Sequence, residues 1–221
     1  LFRRAGDHHG AAIALISLGH AATQQGDLAR ARAFYEESLA CFRPAKDHWH
    51  TAWVLTYLSE VMVFDSDLDS ALLLGEEALR MHREAGDPWG VGSALSVLGR
   101  IDEARGQLDA AAVNYAEALR QFAAAGVERA APTCLADLAA VVLVSGDQEV
   151  AARLAGASRA WQARTGLPRA PLPQSDRSAV LDALAVGPHA LAWQRGSALS
   201  REQVLIEAAA VAAIAEATQR P

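Results

Sequence analysis

Two turn signals recur along this chain at a fixed spacing of 40 residues, one set half a period after the other. The first set is Gly6-Asp7, Lys46-Asp47, Gly86-Asp87, Gly126-Val127 and Gly166-Leu167. The second is Gly26-Asp27, Ser66-Asp67, Gly106-Gln107 and Gly146-Asp147. Between them the apolar residues fall at helical spacing. Two turns per period with helical text between them define a helix-turn-helix unit. A single such pair cannot bury its apolar side, so the units are expected to stack into one continuous core.

The side chains keep the same step. The first helix of each unit carries Leu15, Leu55, Leu95 and Leu135, then Leu18, Leu58, Leu98 and Leu138, each followed by a small residue: Gly19, Ser59, Gly99, Ala139. The second helix carries Ala31, Ala71, Ala111 and Ala151, then Tyr35, Gly75, Tyr115 and Ala155. Small residues let two helix backbones approach while leucine and tyrosine fill the space beside them. This order resembles the tetratricopeptide repeat over residues 8 to about 165, as units 8–46, 47–86, 87–126 and 127–166. The period is longer than that family's usual one. The fourth unit departs at Gln148, Ala155 and Arg159, as a terminal repeat that caps a stack does. The expected fold is therefore all-α, an α-solenoid of tetratricopeptide-type hairpins with a C-terminal helical extension. Leu1 to Asp7 (LFRRAGD) align with CFRPAKD at Cys41 and MHREAGD at Met81, so residues 1–7 are expected to end a helix of a preceding repeat.

Composition agrees and excludes other classes. The chain is 52% hydrophobic and rich in alanine and leucine, which lose little side-chain entropy in a helix. Its net charge is -6, with Lys46 the only lysine, and no basic stripe suited to gripping phosphates. Cys41 and Cys134 are far apart, too few for a disulfide scaffold, and read as small hydrophobes in a reducing compartment. No signal peptide is present, and the apolar run from Val204 to Ala217 is too short to span a bilayer and holds Glu207 and Glu216. A soluble, cytoplasmic chain with no nucleic acid or membrane partner is expected.

After the repeats, residues 167–174 form a Pro-rich connector, and 175–221 read as capping helices. Ser175 is placed to cap a helix running to about Val186. Gly187-Pro188 starts a short one through Trp193. Ser200 and Gln203 form a capping box before a last helix, Arg201 to Thr218. That helix is apolar nearly all round and is expected to be covered on several sides, by the fourth repeat or by another domain. The run AWQRGSALSREQVLIEA, Ala192 to Ala208, resembles the end of the repeat region in bacterial transcriptional regulators of the LuxR and MalT-like type. The resemblance implies a STAND-class NTPase before the repeats and a helix-turn-helix DNA-binding domain after them. This chain carries neither set of motifs, because Lys46 has no Gly-rich phosphate-loop setting.

No catalytic constellation stands out. There is no G-x-S-x-G turn and no local Cys/His pairing. Arg30, Arg32, Glu36, Glu37, Glu76, Glu77 and Arg80 read as solvated helix faces. His8 and His9 are adjacent and His48 and His50 two apart, so neither pair shares a helix face, and no carboxylate completes a familiar ligand spacing. No metal and no cofactor is expected. His9, Trp49 and Trp89 occupy equivalent positions and read as structural at the inter-repeat loop. In tetratricopeptide arrays the first helices line the concave groove. The resemblance places Trp53 there as an aromatic anchor, with His20, Glu60, Arg100 and Glu103 as polar contacts. The fourth set, Thr133, Ala136, Ala140 and Leu143, is apolar and is expected beneath the C-terminal helices. Arg100 stands alone where chaperone-binding arrays carry a basic ladder, which argues against carboxylate capture. The expected role is a non-catalytic sensor and scaffold segment of a multidomain regulator. It would bind a protein, peptide or inducer, or the NTPase and DNA-binding domains of its own polypeptide. The alternative is a stand-alone adaptor joining two partners, and homo-oligomerisation stays open.

Overall fold

Eight positions at intervals of 20 residues adopt a left-handed backbone, and they set the architecture. In the computed structural model, which describes residues 8–166 and 177–218, Gly26, Lys46, Ser66, Gly86, Gly106, Gly126, Gly146 and Gly166 all have positive φ. They separate α1 (His8–Gln24), α2 (Leu28–Phe42), α3 (His48–Phe64), α4 (Leu68–Glu84), α5 (Pro88–Ala104), α6 (Leu108–Ala124), α7 (Ala131–Val144) and α8 (Gln148–Thr165). Beyond them lie α9 (Arg177–Ala183), a 3₁₀ turn at Gly187–His189, α10 (Ala190–Ser197) and α11 (Arg201–Thr218). Every element among the described residues is helical. The expectations for residues 1–7, for the 167–174 connector and for a cap at Ser175 fall outside the described residues.

The turns at Gly26, Lys46, Ser66, Gly86, Gly106 and Gly126 are Schellman motifs, and in all but the last the next residue stands at the start of the following helix. The Gly26 N–H donates to Thr23 at 3.0 Å and the Asp27 N–H to Ala22 at 2.9 Å, which satisfies carbonyls at the end of α1. Asp27 then accepts the Arg30 N–H at 3.1 Å as the N-cap of α2. Asp47, Asp67, Asp87 and Asp147 repeat this bond to His50, Ser70, Gly90 and Val150. Gln107 stands at the same place without a side-chain cap. At Val127 no cap is available, and α7 begins only at Ala131 with Pro132 in its first turn.

The chain divides into two compact units, residues up to Gly90 and residues from Val91 onward. The division falls inside α5. In the first unit α1 pairs with α2 and α3 with α4, while α2 also packs on α3. A Cβ built on Gly19 would lie 2.4 Å from the Tyr35 ring, so α1 and α2 close only because glycine faces the tyrosine. Where Gly75 replaces that tyrosine, Ser59 replaces the glycine and its hydroxyl donates to the Ala71 carbonyl at 2.6 Å. Ala31 and Ala71 are fully buried. Leu18 departs from its repeat equivalents. Leu58, Leu98 and Leu138 are buried, but Leu18 is 48% exposed, because no described helix precedes α1 to cover it.

The second unit continues the logic and then ends it. Gly99 faces Tyr115, Gly92 faces Phe122, and α6, α7 and α8 pack in succession. On α8 the partner changes. A Cβ on Gly156 would sit 2.2 Å from the Trp193 carbonyl oxygen, and one on Gly196 would sit 1.9 Å from the Arg153 carbonyl oxygen. The backbones of α8 and α10 therefore cross in near-contact, and the Ser197 hydroxyl donates to the Gly156 carbonyl at 3.3 Å. Arg159 forms a two-pronged pair with Asp182 of α9. The departures of the fourth repeat at Ala155 and Arg159 are thus fitted to α9 and α10.

The tail differs from expectation in three respects. The α9 helix spans Arg177–Ala183 and stops short of Val186, and α10 continues past Trp193 to Ser197. The third concerns α11. Its capping box forms as expected, with Gln203 Oε1 accepting the Ser200 N–H at 2.8 Å and Ser200 Oγ accepting the Gln203 N–H at 3.3 Å. Yet it lies mainly on α6, in the third repeat, and only its edge meets α8. Val204, Ala208 and Ala215 are buried there, while Ile206 and Ile214 on the other side are exposed, so one side is covered rather than several. Arg201 anchors its start, pairing with Glu128 at 3.0 Å and donating to the Ala123 carbonyl. Arg153 of α8 pairs with Glu207 at 3.1 Å.

Two predictions follow from backbone geometry. Gly196→Ala forces a methyl group into a carbonyl that cannot rotate away, and is expected to destabilise the second unit by about 3 kcal/mol or more, read by urea denaturation. Lys46→Gly and Ser66→Gly relieve side chains held at positive φ, and are each expected to stabilise by about 0.5–1 kcal/mol in the same measurement.

Candidate functional site

The residues singled out on the first helices meet different fates. In the first unit His20 is exposed on α1, its ring edge-on to Tyr57 at 4.4 Å and to Tyr35 at 5.9 Å. Trp53 is only 4% exposed. Its ring lies among Trp49, Tyr57, His82 and Trp89, with centroids 4.6–6.1 Å away. It is a core residue of this unit, and little of it is left to anchor a ligand. Its indole N–H has no hydrogen-bond partner among the described residues. Glu60 is half-buried on α3. In the second unit Arg100 and Glu103 lie one turn apart on α5, both half-buried, and the Tyr115 hydroxyl donates to Glu103 at 3.2 Å. Thr133 and Ala136 line a crevice with Leu181 and Asp182 of α9 and Trp193 of α10, which places part of the fourth set beneath the C-terminal helices.

Beside Trp53 lies a buried polar group. His82 occupies the repeat position held by Phe42 and Phe122, and is fully buried. Its Nε2 lies 3.2 Å from Thr56 Oγ1, whose hydroxyl donates to the Ala52 carbonyl at 3.0 Å. The other ring nitrogen lies 3.3 Å from Asp87 Oδ2. Gly90 is required beside it, because a Cβ there would fall 2.0 Å from Nδ1. Burial pushes His82 below the ordinary imidazole range, against the opposing pull of Asp87.

A second cluster was not visible from spacing. His9 on α1, Asp47 at the cap of α3 and His50 in its first turn converge, their donor atoms all within 4.8 Å of one another. His50 Nδ1 lies 2.7 Å and His9 Nδ1 3.6 Å from the same Asp47 oxygen. His50 stacks on Phe42, centroids 4.6 Å apart and planes 9° from parallel, and His9 meets Phe42 edge-on at 5.5 Å. Burial alone would raise the Asp47 carboxyl. Bonds from the His50 backbone and ring, with the charges of both histidines, outweigh it and hold the group below the usual range. Helical spacing separates His9 from His50. The 40-residue register unites them, because it sets the starts of successive first helices side by side.

Among the described residues no helix is long and apolar enough to cross a membrane. Cys134 is buried and Cys41 half-buried, neither in a disulfide, and burial pushes the Cys134 thiol far up. An apolar groove runs between α6 and α11, lined by Val113, Ala116, Leu205, Ile206, Ala209 and Ala213.

Known proteins resemble the chain in part. The tetratricopeptide repeat family matches residues 10–84, from α1 to the end of α4. Among solved structures, BtubC (BKLC) from P. vanneervenii is similar over 100% of this chain and 86% of its own, with a TM-score of 0.64 and 17% identity. At that identity the likeness speaks to fold alone. No curated protein matches the chain.

The buried imidazole predicts a pH dependence. With the folded pKa of His82 lowered, the unfolded chain takes up the proton first once the pH drops below about 6.5. Stability is therefore expected to fall as the pH drops below about 6.5, by at most about 1.4 kcal/mol per pH unit from this group. His82→Phe restores the repeat's own residue and is expected to keep the fold while flattening that slope, read by denaturant unfolding across the pH range.

Proposed function

We propose that this chain is a non-catalytic protein-interaction scaffold. The reading rests on the tetratricopeptide match over 10–84 and on one structural observation. Ile13 and His20, two turns apart on α1, are both exposed on the first helix of the matched region. Each hairpin uses its leucines, alanines and tyrosines to hold the next. Ile13 and His20 stand outside that set and are accessible to a partner segment. Glu60 on α3, and Arg100 with Glu103 on α5, add polar groups within their respective units. Trp53 is proposed to act through Tyr57 and His20, stiffening the surface from below.

Within that role, the segment serves as the sensor of a multidomain bacterial transcriptional regulator. Ligand binding would shift a balance between two packings of the hairpins, by the difference in its affinity for them. The support is the tail text from Ala192 to Ala208 and the capping-box helix it encodes. A stand-alone adaptor is the alternative, in which the same surface joins two proteins in the cytoplasm.

The chain is expected to enrich a partner from lysate of its source cells, and Ile13→Asp with His20→Ala is expected to cut that enrichment by at least about tenfold, the loss of one interface hot spot of ~1.4 kcal/mol or more. Equal enrichment by the variant would remove the surface from consideration. The flanking gene sequence separates the two contexts: an NTPase upstream and a helix-turn-helix downstream mark the regulator, and a reading frame confined to this segment marks the adaptor.

A further inference from the structure

We propose that His9, Asp47 and His50 form a binding site for a divalent transition metal ion of the zinc class. The ion would clamp the start of α1 to the start of α3 in the first unit.

The arrangement exceeds what helix capping needs. Asp47 caps α3 through Oδ1, which accepts the His50 N–H at 3.1 Å. Its other oxygen already has the His50 ring at 2.7 Å. A second imidazole, from another helix, is nevertheless aimed at that same oxygen from 3.6 Å, beyond hydrogen-bond reach. Three donor atoms thus surround one point, and none is an oxygen-rich cage of the kind calcium or magnesium takes. Two imidazoles and one carboxylate suit zinc, cobalt, nickel or copper.

Two of the three donor pairs already lie near the spacing an ion needs. Metal–donor bonds of about 2.0–2.2 Å at tetrahedral angles put neighbouring donors about 3.3 Å apart. Reaching that spacing opens the Asp47–His50 contact by about 0.6 Å and closes the Asp47–His9 contact by about 0.3 Å; the His9 and His50 donors, within 4.8 Å of each other, close by up to about 1.5 Å through rotation of the more exposed His9 side chain. The ligands are held ready. The cap bond fixes the carboxylate, the Phe42 face fixes the His50 plane, and the Phe42 ring also meets His9. The His9 side chain is 55% exposed, which gives an ion an entry path. Three protein donors leave one position for water or for a donor carried by a bound partner.

The test is zinc titration calorimetry on the untagged full chain near neutral pH, with cobalt absorption as a second probe of coordination. One equivalent is expected to bind with Kd below about 100 µM. His9→Gln, Asp47→Asn and His50→Gln are each expected to weaken it at least about tenfold. Asn still caps α3, so the Asp47 variant keeps the helix start. His8→Gln and His48→Gln, neighbours outside the cluster, are expected to bind as the parent does. Zinc-dependent shifts of the His9 and His50 ring resonances in the parent protein give a readout that needs no variant. Absence of saturable binding, binding undiminished by His9→Gln or His50→Gln, or ring shifts confined to His8 and His48 would overturn the proposal.

Discussion

A single dipeptide both finishes one helix and starts the next, and the repeat depends on that economy. The left-handed residue lets the chain reverse while its N–H and the following N–H satisfy the orphan carbonyls behind. The aspartate that follows satisfies an orphan N–H ahead. The shortest turns leave only three residues between helices, as between Gln24 and Leu28, so turn length and hairpin direction are set together. In the first unit the start of α3 then lies beside the start of α1. Side chains about 40 residues apart in the chain become neighbours there, as the His9 and His50 rings do at 5.0 Å. Loss of the aspartate alone does not delay a helix, since α6 still begins at Leu108 after Gln107, whereas after Val127 the next helix begins only at Ala131. The rule is therefore local, and each turn obeys it on its own residues.

Close packing supplies the second level. Glycine on a first helix meets tyrosine on the second at 19/35 and 99/115, and where Gly75 stands in place of the tyrosine the larger Ser59 stands in place of the glycine, its hydroxyl on the Ala71 carbonyl. The volumes compensate pair by pair, so no repeat need carry the same residues so long as each pair fills the same space. This is why the periodicity was legible as a pattern of sizes. The pairing itself was not, because a column of small residues shows where helices approach and does not show which side chain enters the gap. Leu18 illustrates the same limit. Its column reads as core, but burial depends on a neighbouring hairpin, and position in the array decides it.

The tail shows how a repeating stack is ended. A fifth hairpin would require α8 to present the small and large residues that α2 and α6 present. Instead α8 carries Gly156, which admits the α10 backbone at a distance no side chain allows, and Arg159, which takes Asp182 from α9. The apparent degeneracy of the fourth repeat is complementarity to a different partner. The capping box of α11 was readable from Ser200 and Gln203 because it is local. Its seat on α6 was not readable, because nothing in a helix that is apolar nearly all round states which neighbour it prefers.

Polar residues inside a repeat reveal function only once their neighbours are known. Trp53 and His82 stand in columns that could face a groove or a core. Aromatic packing on Trp89, Tyr57 and each other settles both as core. In the sequence Asp47 stands in a turn signal, His9 reads as structural at the inter-repeat loop, and His50 shares no helix face with His48. The register converts them into a cluster, since equal heights on successive first helices bring a histidine from one repeat onto the cap of the next. The chemistry of this fold is thus concentrated at helix starts, where the turn rule has already fixed a carboxylate and where any imidazole from the preceding repeat arrives oriented. A donor added at the equivalent position of another turn, such as Trp49→His beside Asp87, would face the same geometry, with Gly90 in place of His50. Among the described residues, the turn at Asp47 is where two imidazoles and a carboxylate come together.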